Sequence, residues 1–216
     1  MKALKVTAHL HHSFHTNNEW TPALDGILAY QHLLKKLGSQ QFNNDIANNK
    51  QTTVDDMPIS KNDAGEWFYH CSFPIFSQRK SVKKQHYKRF NVDESQYLQC
   101  KTKALQTTKG IHKNWTYSRN LIVTDKIEWH IIADKEWLQE TLINVSHIGG
   151  NRKTGNGRVV KWDITSGDSK IAKKFRAIPV DLLVQPNTVT TEWGIRPSVR
   201  LPENRFICSM VNLDAL

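Results

Sequence analysis

An alternating strand pattern followed by a helical pattern, at the start of the chain, constrains the fold most. The even-numbered residues of 3–10 (ALKVTAHL) are apolar, which is typical of a half-buried strand. Apolar residues then recur at helical spacing over 24–37, and Gly38 is expected to end that helix. Thr21 is expected to cap the helix, with Pro22 in its first turn. The chain therefore begins as a strand and a helix.

Further patterns predict the rest of the fold. Residues 39–65 are polar and predict a long loop, and Asp134 is expected to cap a helix over 135–145. Strands are predicted at 66–76 (interrupted by Pro74), 79–90, 116–123, 126–133, 158–164, 177–184 and 206–211. This order contains β-α-β-β-α-β, which predicts an α+β, ferredoxin-like (RRM-type) antiparallel sheet whose open face and loops serve nucleic acid.

Length and composition exclude several classes. The 216 residues suffice for one core without disulfides or metals, and three cysteines without CxxC spacing argue against a disulfide framework. No apolar run approaches the roughly 18 residues of a membrane span. The first 15 residues lack the apolar core of a signal peptide. We therefore expect a cytoplasmic protein without a membrane association or a cofactor.

The positive charge is concentrated in two segments. The net charge is +10, while residues 79–119 carry eleven Lys and Arg against two acids. Residues 150–176 carry eight against two, so the remaining chain is slightly acidic. This partition favours a track for phosphates over a generally solvated surface, and nucleic acid is the first candidate partner.

The first basic segment interleaves cations with aromatic residues. Rings stack on bases while cations meet phosphates, although some of these rings are expected in the core. The predicted phosphate contacts are Arg79, Lys80, Lys83, Lys84, Lys88, Arg89 and Lys113. The predicted stacking residues are Tyr87, Phe90 and Trp115.

A glycine-rich segment follows the second predicted helix. Residues 147–159 read HIGGNRKTGNGRV, which has neither the spacing of a phosphate-binding P-loop nor that of a dinucleotide-binding loop. Glycines let backbone amides approach an anion, and nearby cations neutralise it, although a solvated turn is the plain alternative. The predicted contacts are Gly149, Gly150, Asn151, Arg152, Lys153, Gly155, Gly157 and Arg158.

Four histidines follow the first strand in the run HLHHSFH. They lack partner cysteines or acids at ligand spacing, so we predict no metal site. A metal-independent ribonuclease uses a histidine to activate the 2′-hydroxyl, and His12 and His15 are the candidates for that alternative. Near the C-terminus, two interpretations stay open for Arg196, Arg200 and Arg205. They contact RNA or a neighbouring subunit, or they pack inside the protein.

GGNRKTGNGRV closely resembles the glycine-rich loop of the repeat-associated RNA-binding superfamily of CRISPR systems. ALDGILAY, together with RAIPVD and WGIRP, resembles the small subunit of type IV CRISPR complexes. The resemblance implies one domain over 1–216, with a thumb-like basic insertion at about 79–119 and a C-terminal extension at about 177–216.

The resemblance also implies a function. Such a subunit is non-catalytic, binds the 5′ handle of the guide RNA (crRNA), and contacts the backbone and large subunits. Contact with target DNA near its flanking motif is left open. The alternatives are a metal-independent endoribonuclease that processes crRNA, and a generic basic RNA-binding module.

Overall fold

The computed structural model describes residues 1–16, 18, 20–48, 50, 52–89, 108–109, 113–150, 155–182 and 188–211. Its helices are α1 (Leu24–Ala47), α2 (Lys135–Leu142) and α3 (Ser169–Lys174). Its strands are β1 (Lys2–Leu10), β2 (Phe14–His15), β3 (Ile75–Phe76), β4 (Lys80–Lys88), β5 (Trp115–Val123), β6 (Lys126–Ala133), β7 (Val159–Ser166), β8 (Ile178–Pro179), β9 (Thr188–Gly194) and β10 (Arg205–Val211). The fold is therefore α+β with antiparallel sheets, as predicted.

The largest sheet has the order β3-β6-β1-β7, and its described pairs are antiparallel. The even-numbered apolar residues of β1 lie on the buried face, as the alternation predicts. Helices α1 and α2 contribute Leu28 and Leu138 to the same core, around the fully buried Trp129 of β6. Burial of these apolar side chains is the main stabilising contribution. Asp134 accepts a hydrogen bond from the Trp137 amide, so its predicted role as a cap is confirmed.

The opposite face of this sheet carries paired charges of both signs. Lys5 lies 3.3 Å from Glu128, and Lys161 lies 2.6 Å from Asp163. Helix α3 packs over part of this face. Carboxylates repel phosphates, so the mixed charge disfavours the expected use of this open face by nucleic acid.

Helix α1 differs from its prediction at both ends. Thr21 does not cap it, because Ala23 is the N-cap residue and makes no side-chain cap. Gly38 interrupts the helix with φ +75°, as its role as a stop predicts, but helix resumes to Ala47 where a loop was predicted. The second half is held by Phe42, which packs edge-on against Tyr30 at 4.9 Å between ring centroids.

The segment predicted as a strand over 66–76 forms an irregular edge instead. Cys71 bridges to Ile131, whereas the amide of Phe73 donates to the Phe175 carbonyl and leaves the sheet. Pro74 has no amide to donate, and regular pairing returns only in β3. The break at Pro74 was predicted correctly, and the regular extent of the strand was not.

A second sheet, ordered β8-β10-β9, has its own apolar cluster around Phe68, Phe73 and Met210. Arg176 joins the two cores: its guanidinium donates to the carbonyls of Cys71 and Ile195 and lies 4.0 Å from the buried Asp25. The third sheet, ordered β2-β5-β4, contains the basic segment. Among the described residues, none of the helices combines the length and apolar content that a membrane crossing requires.

Candidate nucleic-acid interface

Strands β4 and β5 form an antiparallel pair, and neither strand contains an acidic residue. They pair from Lys80 opposite Val123 to Lys88 opposite Trp115. Their sequences, KSVKKQHYK and WTYSRNLIV, carry five cations and no carboxylate. Most of these side chains are exposed. The two strands therefore present a surface that is rich in positive charge.

One side of the hairpin combines cations with a row of rings. Side chains alternate between faces along a strand, so every second residue of β4 and its partner on β5 share a face. We call this the ladder face; its residues are Lys84, His86, Lys88, Trp115, Tyr117 and Arg119.

The rings of the ladder face contact one another. Tyr117 stacks on His86 with 5.2 Å between ring centroids, and Trp115 lies 4.9 Å from Tyr117. The guanidinium of Arg119 lies over the Tyr117 ring at 4.5 Å. Trp115 is 41% exposed, so its ring remains accessible for stacking by a base.

Two features of the ladder face oppose stability. Lys84 is directly opposite Arg119, and like charges in that position destabilise a sheet. The Nε2 atom of His86 is buried and has no hydrogen-bond partner in the described structure. A locally destabilising arrangement is expected at a binding site, where a ligand supplies the missing charge or hydrogen bond.

The short strand β2 connects this hairpin with the glycine-rich segment. His15 pairs with Leu121 of β5 on one side and bridges to Gly150 on the other. The buried Phe14 stacks on Phe76 with 6.0 Å between centroids. The two basic segments of the sequence are therefore joined through two residues.

Two glycines, Gly149 and Gly157, are required for this close packing. A Cβ at Gly149 would lie 2.7 Å from the His15 carbonyl, and one at Gly157 would overlap the Ile148 carbonyl. The Gly150 amide donates to His15 and the Gly157 amide donates to Ser13. These two amides are engaged inside the protein, so the structure gives both glycines a packing role, and their contact with RNA stays a prediction. At Gly155, φ is +78° and the space around a Cβ is open.

A cavity of about 450 Å³ adjoins this packing. Its lining includes His15, Gly149, Gly150, Trp193 and Arg200. Burial and, secondarily, the nearby charge of Arg119 lower the pKa of His15, so the imidazole is neutral at pH 7. The cavity combines polar atoms with an aromatic wall.

The predicted hairpin residues are divided among three places. Lys84, Lys88 and Trp115 lie on the ladder face. Lys83 and Tyr87 lie on the other face of the hairpin, where Arg89 sits 5.7 Å from the Tyr87 ring.

Arg79 and Lys80 line a groove of about 580 Å³ together with His12 at the base of the hairpin. Lys113 and Arg158 are exposed. Phe90, Asn151, Arg152 and Lys153 lie outside the described residues.

The two candidate catalytic histidines do not share a site. His12 is exposed and lines the groove beside Arg79, whereas His15 lines the cavity beside Gly150. His12 makes an edge contact with His11 at 4.1 Å between ring centroids. In the part of the chain described, no group of three or more His, Cys, Asp and Glu side chains is placed to hold a metal ion.

The C-terminal arginines have distinct surroundings. Arg196 is buried and donates to the side chains of Asn204 and Glu66. The interpretation of Arg196 as an RNA contact is therefore wrong, and its role is in packing. Arg205 pairs with Glu192 at 2.8 Å. Arg200 is exposed.

Arg119 was expected among the Lys and Arg of 109–119 that contact phosphates. Its place beside the rings follows from the pattern, because Trp115, Tyr117 and Arg119 alternate and must share one face of a strand. Sequence reasoning missed β2, which has only two residues and no detectable period.

The fold and the interface define a basic α+β protein built from antiparallel sheets, with two paired strands that carry cations and rings. A scan against protein families matches residues 2–202 to the family described as CRISPR type IV associated protein Csf3. The chain belongs to this family, and it is therefore a component of a type IV CRISPR system, as the resemblance implied. A search of the curated proteins finds no match.

Proposed function

We propose that this chain is the subunit of a type IV CRISPR ribonucleoprotein that binds the 5′ handle of the guide RNA. The observation that carries the proposal is the ladder face, where the accessible ring of Trp115 and its neighbour Tyr117 lie among three cations. The subunit anchors the backbone filament and contacts the large subunit in this cytoplasmic assembly. Target DNA near the flanking motif is a further partner in the same proposal.

We propose a ferredoxin-like core for this subunit. The first strand, α1, the edge strand β3, β6, α2 and β7 follow in the order β-α-β-β-α-β. The sheet order β3-β6-β1-β7 places the first and third of these four strands side by side at the centre. The hairpin of β4 and β5 then interrupts the core between its second and third strands, in the position of a thumb.

The ladder face suits a single strand of RNA. Stacking on an aromatic ring contributes roughly 1–3 kcal/mol per base and tolerates any sequence. Cations beside the rings neutralise phosphates and release counterions. Because β2 joins the hairpin to the glycine-rich segment, we expect an RNA strand that leaves the ladder face to continue towards the cavity beside Gly149 and Gly150.

Non-catalytic binding is favoured over cleavage by the separation of the histidines. General acid–base catalysis needs its groups within hydrogen-bond reach of one phosphodiester. His12 and His15 line different cavities, and no other histidine of HLHHSFH lines the cavity beside Gly150.

Fluorescence anisotropy with labelled repeat RNA from the same locus tests the proposal. We expect the replacement of Trp115 and Tyr117 by Leu to weaken binding at least tenfold. Leu replacement of Tyr87, on the other face, serves as the matched control. Equal loss in the two variants, or no preference for the repeat RNA over a scrambled RNA of equal length, would refute the proposal.

Incubation with labelled precursor RNA in a chelator tests for catalysis. We expect no specific cleavage. Site-specific cleavage that disappears in His12→Ala or His15→Ala would show that the processing endoribonuclease is the correct alternative.

A further inference from the structure

The residues that line an apolar groove of about 440 Å³ are distant in sequence from those of the ladder face. The two halves of α1 form one wall, with Tyr30, Leu37 and Ile46 among its residues. The opposite wall contains Val54 and the turn that carries Val199. The amide of Val54 donates to the Pro197 carbonyl, which fixes this wall.

The groove exists because α1 bends at Gly38. With φ +75°, this residue adopts a conformation that favours glycine. The bend turns the second half of the helix, so that Phe42 packs against Tyr30 and Ile46 extends the apolar lining. A straight helix would carry these side chains away from one another.

The lining contains large apolar side chains that remain exposed. Tyr30, Leu37, Ile46 and Val199 are 36%, 38%, 52% and 40% exposed and lie around one groove. Scattered exposed apolar residues are ordinary, whereas a contiguous patch marks an interaction surface. Exposure here costs free energy that a partner recovers by covering the patch.

The charges at the rim indicate the chemistry of the partner. Asp45 is engaged by the Gln41 amide at 2.8 Å. Lys50 and Arg200 are exposed at the groove, and the described residues form no ion pair with either. The rim therefore offers two cations to a carboxylate.

We propose that this groove binds an apolar segment of another protein subunit, with an acidic residue beside the apolar ones that pairs with Lys50 or Arg200. The lining is apolar, so it does not suit a polyanion. A second copy of this chain also carries a net charge of +10 and would be repelled. An acidic, apolar segment of a different protein satisfies both the lining and the rim.

The groove is continuous with the candidate nucleic-acid interface. Val199 and Arg200 line both the groove and the cavity beside Gly149 and Gly150. A partner in the groove thus lies next to the cavity beside Gly149 and Gly150, and the ladder-face residues do not line the groove. The inference concerns a protein contact and does not depend on the proposed RNA function.

Copurification of the tagged full-length chain with its co-expressed operon partners, after nuclease treatment, tests the proposal. We expect Leu37→Asp with Ile46→Asp to reduce the retained subunit at least tenfold, because charged side chains replace exposed apolar ones that the partner would bury. Ile143→Asp is the matched control, since Ile143 is 83% exposed and lies outside the groove. The single variant Lys50→Glu is expected to reduce retention severalfold.

Equal retention by the groove variant and the Ile143→Asp control would overturn the inference, as would failure of the unchanged chain to retain any subunit. Circular dichroism excludes misfolding of the variants, and RNA anisotropy on the same samples reports the ladder face separately. A photo-crosslinking residue at Ile46 identifies the occupant. We expect crosslinks to an apolar segment flanked by Asp or Glu, whereas crosslinks to RNA or to a second copy of this chain would contradict the proposal.

Discussion

Removal of three charges from the ladder face should change the salt dependence of RNA binding by a calculable amount. Lys84, Lys88 and Arg119 share this face, so the triple variant to Gln removes three predicted phosphate contacts. Each contact with a single strand contributes about −0.7 to the slope of log K against log salt. The triple variant should therefore lower the magnitude of the slope by about 2.

This slope predicts a ratio that an anisotropy titration measures directly. Between 50 and 200 mM salt, the unchanged protein should lose roughly 20-fold more affinity than the triple variant. The matched control replaces the exposed residues Lys35, Lys135 and Lys170 by Gln. This control also removes three positive charges. If charge acts only through the net +10, the two variants will have equal slopes. Equal slopes would refute the assignment of phosphate contacts to the ladder face.

The same triple variant separates binding from stability. Lys84 and Arg119 are like charges in opposed positions, so their replacement relieves repulsion within the hairpin. We therefore expect an unchanged or higher melting temperature together with weaker RNA binding. A lower melting temperature would show that the cations stabilise the hairpin, and that the weaker binding has a structural cause.

Three further predictions concern stability. Arg176→Ala should lower the free energy of unfolding by about 3–5 kcal/mol in urea titrations, because it leaves a buried carboxylate without its cation. Gly157→Ala should lower the free energy of unfolding by about 2 kcal/mol or more, because this residue has a positive φ and its Cβ would overlap a carbonyl. Gly155 has a similar φ but open space around it, so Gly155→Ala should lower the free energy of unfolding by about 1 kcal/mol in the same assay. Burial lowers the pKa of His70 and His130 below the ordinary 6.5, so the unfolded chain binds protons more readily, and the free energy of unfolding should decrease as the pH falls from 6.5 towards the folded pKa values. Urea titrations at pH 7.5 and 5.0 check this, and His130→Gln should reduce the difference.

Local patterns predicted the regular core of the fold. The alternation in β1 and the cap at Asp134 are local signals, and both elements lie where they were expected. Residues 39–47 were missed because their composition is polar. Their helix is held by Phe42 against Tyr30, a contact that follows only from the bend at Gly38.

The irregular edge before β3 shows a second limit. Residues 66–76 have the composition of a strand, but the amide of Phe73 bonds to Phe175, roughly a hundred residues later in the chain. A hydrogen bond to a residue far along the chain cannot be recognised from local periodicity. The same reason explains Arg196, whose burial depends on Asn204 and Glu66.

The two parts of the candidate site were predicted from the sequence, but the short strand that connects them was not. Charge and aromatic spacing identify the hairpin, and composition identifies the glycine-rich segment, although β6 and α2 separate them in the chain. Their connection depends on Phe14 and His15, since the Gly149 Cα approaches too closely for a Cβ beside the His15 carbonyl. The glycines thus bring a second basic segment against the strand that also borders the hairpin. Because both surfaces are joined to one strand, the proposed RNA, once held at the ladder face, should meet the second surface at a high effective concentration. Two weak contacts would then act as one tight contact.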